Sequence, residues 1–245
     1  MTASINIRLL AQLGYVFGMQ ATMTSSDSPL AVFKRLAESF SELIEDEGIF
    51  IRPYANPNLI HFSRLTPDEQ WDVIARVKLY VLACVNVKEH HRTLTDNRLM
   101  VETFLHVSGM TAHPQDLNLI EDKHFIEIYN KNGMHLFRSL NIFESSSYTF
   151  EDLCCRQWYH LYERPTEDQN KIIQAATEFF MQTEPVRKPA DAGPMRIVEK
   201  DTLEHLIYLT ETKWLIPVFK NQSLDAVLTV VINWNPDSIP QFVKP

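Results

Sequence analysis

Glycine and cysteine are the scarce residues of this 245-residue chain, at six and three. The glycines are too scattered to build the glycine-rich loop that cradles a nucleotide phosphate, which excludes the nucleotide domain of a kinase. Cys84, Cys154 and Cys155 cannot make a disulfide framework, and the two adjacent ones are badly placed to pair with each other. A reducing, cytoplasmic setting is the expectation. Positive charge is also in deficit: 23 basic against 31 acidic side chains gives a formal charge of −8, a field that repels phosphate backbones. Long apolar runs are missing too. The run Val77 to Val87 is broken by Lys78 and Asn86 and falls short of the ~20 residues of a membrane span. Met1 to Met19 holds one basic residue, Arg8, and is a poor secretory signal; its Ile5, Leu9, Leu13 and Phe17 suit an amphipathic helix.

The first half is rich in helical periodicity. Ser28 and Pro29 make a helix start, followed by Leu30, Phe33, Leu36, Phe40, Leu43 and Ile44 at three- and four-residue steps. Thr66 with Glu69 forms a capping box around Pro67, and Trp71, Ile74, Val77 and Val81 supply a buried stripe. Helical spacing resumes over Leu99, Met100, Phe104 and Val107, either as a continuation or as a new helix after a break near Thr95 and Asp96, and ends at Gly109.

Beyond this point the period drops towards two, which sets an expected boundary between a helical domain, residues 1–115, and a second domain, residues 116–245. Phe125 to Tyr129 reads as a strand, Asn130 to Gly133 as a turn, and Met134 to Leu140 as the hairpin partner. Short helices and turns fill Ser145 to Arg164. Thr166 is the expected cap of a helix reaching Met181, and Thr183 to Pro194 is a loop. Three strands close the pattern: Met195 to Lys200, Glu204 to Phe219 with a bend near Thr212, and Leu224 to Trp234. In the last, apolar residues occupy both faces, the mark of a strand covered on two sides.

This element order, with Leu140-Asn141-Ile142-Phe143-Glu144 leading into Ser147-Tyr148-Thr149-Phe150-Glu151-Asp152-Leu153, resembles a PAS domain over residues 122–234. Trp158 to Leu161 and the turn Glu163-Arg164-Pro165-Thr166-Glu167-Asp168 are similar to the family's short helix and the turn that opens its connecting helix. Ser147 stands where the family usually has glycine, and Glu163-Arg164 replaces its histidine before the proline. The resemblance implies an α+β fold, a helical domain followed by a five-stranded antiparallel sheet with flanking helices, holding a small-molecule pocket or serving as a dimerisation platform. It implies pocket positions at Phe137, Phe143, Trp158, Leu161 and Ile216. The flavin photosensor subgroup does not fit, because Trp158 falls at the position of its adduct cysteine.

No His-Glu-x-x-His or Cys-x-x-Cys spacing marks a metal site, and no Gly-x-Ser-x-Gly elbow marks a hydrolase. The expected role is a non-enzymatic signalling or regulatory protein, in which ligand binding or dimer rearrangement in the PAS-like part is transmitted to the helical part. No cofactor is named by the residues. A homodimer or a signalling protein partner is expected, no membrane, and no nucleic acid through the PAS-like half. The alternative is an interaction scaffold whose PAS-like core is filled by its own side chains.

Overall fold

A computed structural model describes residues 28–234. The amphipathic helix expected within residues 1–19 lies outside them. Four helices come first: α1 (Pro29–Glu45), α2 (Ile60–Ser63), α3 (Pro67–Glu89) and α4 (Asn97–Ser108). Their ends are set by the chemistry legible in the sequence. The Ser28 hydroxyl accepts from the Ala31 amide at 3.3 Å, and both halves of the Thr66–Glu69 capping box are made. Asp96 caps α4 by accepting from the Leu99 amide at 2.9 Å, so the helical spacing after Thr95 belongs to a new helix.

Strand β1 (Met110–Thr111) and helix α5 (Pro114–Leu117) lead into the hairpin β2 (Phe125–Asn130) and β3 (His135–Arg138). Three short helices follow, α6 (Leu140–Ser145), α7 (Phe150–Cys155) and α8 (Trp158–Leu161), then β4 (Tyr162–Glu163) and the longer α9 (Thr166–Phe180). Strands β5 (Lys188–Pro189), β6 (Met195–Glu199), β7 (Ile207–Lys220) and β8 (Ser223–Asn233) complete the described chain. The fold is α+β. Its antiparallel sheet has eight strands rather than five: β3-β2-β8-β7-β6-β4 in order, with the two-residue strands β1 and β5 also paired to β7. Strand β5 falls inside the segment expected to be loop. Thr166 is not a cap; Pro165, its φ fixed by the ring, takes the last extended position and Thr166 is already helical.

Central strand β8 lies between β2 and β7, and Ala226 through Val230 are buried on both faces. Alternation then assigns each side chain to one of two layers. Ile126, Ile128, Ile216, Val218, Leu228 and Val230 face the N-terminal helices, in one hydrophobic cluster that runs from Val32 of α1 to Val230 of β8. Aromatic rings tie this layer together. Phe40 stacks on Phe150 with centroids 4.4 Å apart and meets Tyr80 at 4.9 Å, and Phe137 lies 5.2 Å from both Tyr80 and Phe104. Such contacts add to the area they bury. The helical part and the sheet therefore share one core across the boundary expected at residue 115.

Truncating Phe40, which is fully buried, should cost about 3–5 kcal/mol. In denaturant titrations of Phe40→Ala and the parent, the helical far-UV signal and the aromatic near-UV signal should move together; separate transitions would contradict a shared core.

Candidate functional site

The second face of the sheet is not packed in the same way. Between it and α9 lies a cavity of about 520 Å³, within the roughly 300–1,000 Å³ that small-molecule sites occupy. Its floor is the face of the sheet turned away from the helices, including Glu127, Tyr129, Leu215, Val227 and Thr229. The register shift in β7 between Thr212 and Trp214 keeps Thr212 on this floor, opposite Val231, while Trp214 turns to the other face opposite Val230. The roof is α9, where Ile172, Ala175, Ala176 and Phe180 line the cavity. Only Phe179 of this helix is fully buried, although its apolar residues form one face.

Trp158 and Tyr159 stand at one end of the cavity, against the β2–β3 turn. Gly133 permits this approach: it adopts φ +73°, and a Cβ there would come within 3.2 Å of the Trp158 indole nitrogen. Of the positions expected to line a pocket, Trp158 does so. Phe137, Phe143, Leu161 and Ile216 lie in the core shared with the helices, Phe137 and Phe143 bounding a separate void of about 20 Å³ there. For Ile216 the difference is strand parity: it opposes Leu228 on the helix-facing side, and Leu215, one residue earlier, lines the cavity.

A polar cluster is buried along β2 and β3. Glu127 lies opposite Arg138, and Tyr129 opposite His135. The Glu127 Oε1 atom is 3.3 Å from His135 Nε2 and 3.4 Å from Arg138 Nη2, while its Oε2 accepts from the Tyr129 hydroxyl. The donor-only Arg138 guanidinium also meets the His135 ring, its Nη2 lying 2.9 Å from Nδ1 and in contact with Nε2. Burial pushes the Glu127 carboxyl up, but Arg138, His135 and Tyr129 outweigh it and hold the group at about 2. Burial and then Arg138 push His135 down to about 3. Strand β3 passes this cluster on to the helices through its backbone, since Arg76 of α3 donates to the His135 carbonyl at 2.8 Å and the Tyr80 hydroxyl donates to that of Arg138.

Further along the cavity, the Tyr208 hydroxyl lies 2.6 Å from the Glu199 carboxylate and 2.7 Å from the Ser145 carbonyl, its one proton shared between the two acceptors. Two polar groups on the lining have no partner among the described residues: the buried Oγ of Ser146 and the buried Nε of Arg164. Sequence reading missed Glu127, Arg138, Ser146 and Arg164. A signal existed for the first, as a lone acid between Ile126 and Ile128 in a strand, with Arg138 on the facing strand of the hairpin.

The cysteines offer no comparable site. Burial raises all three thiols, Cys154 to about 12, which disfavours the reactive thiolate. Among the described residues no cluster of His, Cys, Asp or Glu has the makings of a metal site, and no helix is long and apolar enough to cross a membrane. Compared with family models and with curated proteins, the chain matches none.

Folded His135 resists a proton that the unfolded chain accepts near 6.5. Below that pH the unfolded state binds more protons, so stability falls as pH drops from about 6.5 towards 3. Glu127 adds a second loss between about 4.5 and 2. Between pH 7 and 5, His135 alone should remove about 2 kcal/mol. Denaturant midpoints measured across this range should show that limb, and His135→Asn should flatten it; an unchanged slope in the variant would contradict the assignment.

Proposed function

We propose that this protein is a sensory or regulatory module of PAS-like type, in which a small molecule occupies the cavity under α9 and its presence is relayed to the N-terminal helices. One observation carries this reading: the apolar face of α9 is seated on the sheet at Phe179, against Leu215 and Val227, while Ile172 and Ala176 on the same face stand over a hollow. The stretch around Ile172 and Ala176 gains little from its own protein core, and an apolar ligand supplies the missing contact. The hairpin, short helices, longer helix and three closing antiparallel strands also support the resemblance seen in the sequence.

The chemistry of the lining favours binding over catalysis. Its buried acid–base groups are held far from neutrality, Glu127 near 2 and the adjoining His135 near 3, whereas a general acid or base works best with a pKa near the operating pH. For the relay, the β3 side chains His135 and Arg138 hold the cavity-lining Glu127, and the β3 backbone carbonyls accept from α3. A ligand with different affinity for two positions of this strand would shift the helices between two states. The alternative, a filled interaction scaffold, draws on the large side chains of Phe137 and Phe143, but these fill the face turned to the helices and leave the other face hollow.

Native beside denaturing mass spectrometry of protein from its own host should reveal a retained small molecule, and the emptied protein should bind the uncharged dye N-phenylnaphthylamine at one site. Ala176→Trp, placed to fill the cavity, should abolish dye binding while leaving the far-UV spectrum unchanged. A clean apo mass together with no dye binding would favour the scaffold.

A further inference from the structure

We infer that the cavity takes an apolar carboxylic acid, with the carboxylate on Arg164 and the apolar body beneath α9. This rests on the cavity being a ligand site and adds the ligand's charge and orientation.

The ionised side chains of the lining are Glu127, Lys131 and Arg164; Lys131 is exposed on the β2–β3 turn, and the other two are treated differently by the protein. Glu127 has both oxygens engaged, by Arg138, His135 and Tyr129. Arg164 has no carboxylate in ion-pair contact among the described residues. Its Nη1 donates to a neutral amide oxygen, Gln169 Oε1 at 3.2 Å, and its guanidinium lies 5.0 Å from the Trp158 ring centre and 5.5 Å from that of Tyr162. These aromatic faces hold the group in place. Its Nε is shielded from solvent and unpartnered. Burial pushes the Arg164 pKa down from its ordinary value, as expected for a cation removed from water without a full counter-charge.

A carboxylate is the natural complement. The planar guanidinium edge presents parallel N–H donors that a carboxylate accepts in pairs, and bonds between two charged groups are the strong ones. An ammonium placed there would be repelled, and an alcohol would gain only a neutral bond. On the α9 side of the cavity Ile172, Ala176 and Phe180 offer the body of the ligand apolar contact, and the Thr177 hydroxyl there already donates to the Ile173 carbonyl at 2.8 Å.

Three probes with one ring system separate these ideas: naphthaleneacetate, naphthaleneethanol and naphthaleneethylamine, each used to displace bound N-phenylnaphthylamine from the whole protein. The acid should compete roughly tenfold or more better than the alcohol, as expected for a charge-assisted bond over a neutral one, and the amine should be the weakest. In Arg164→Gln the acid and alcohol should converge to within about threefold. Equal competition by acid and alcohol in the parent protein, or an acid preference that survives in Arg164→Gln, would overturn the assignment of charge while leaving the cavity as a ligand site. Failure of the dye itself to bind would overturn both. The parent-protein comparison needs no variant to fold.

Discussion

A strand buried on both faces has to satisfy two neighbours with alternate residues, and β8 does so with two different outcomes. Ala226, Leu228 and Val230 meet a dense layer of helices, while on the other face Val227 meets Phe179 and Thr229 and Val231 line a hollow. Because the side-chain period of a strand is two, neither face can be adjusted by sliding the strand without exchanging the two sets. The aromatic chain from Phe40 through Tyr80 to Phe137 anchors the sheet from the helix side. That anchoring leaves the opposite face rigid enough to floor a cavity that α9 covers without filling. The PAS-like reading, the ligand and the relay all depend on this asymmetry.

The charged groups on the cavity side are of two kinds. Glu127, Arg138 and His135 form a network in which the acid is neutralised, and buried charges persist only with such partners. Arg164 sits among aromatic rings with one neutral hydrogen-bond partner and an unengaged Nε. A side chain of this kind is costly to bury, which gives the cavity a preference in charge as well as in shape. His135 ties its protonation to the fold, so the cluster beside the cavity carries a sensitivity to acid.

Much of this architecture was legible in the residues. Caps at Ser28 and at Thr66 with Glu69 marked helix starts, and the two apolar faces of Leu224 to Trp234 announced a central strand. The bend near Thr212 is the register shift that turns Trp214 to the other face. The site was legible only at Trp158. Large apolar side chains such as Phe137 and Ile216 carry the same pattern whether they face a cavity or a packed core, and a single step in strand parity decides between them. Arg164 stood in the sequence as a departure from the family's turn, and its burial beside Trp158 depends on contacts between short helices that periodicity does not encode.

The claim that α9 covers an unfilled space is tested most directly by amide hydrogen exchange across the protein, with and without a cavity ligand. The account predicts that the backbone of Thr166–Phe180 exchanges much faster than that of Pro67–Glu89 in the empty protein, and slows on binding. Protection of Thr166–Phe180 equal to that of Pro67–Glu89 in ligand-free protein would contradict it.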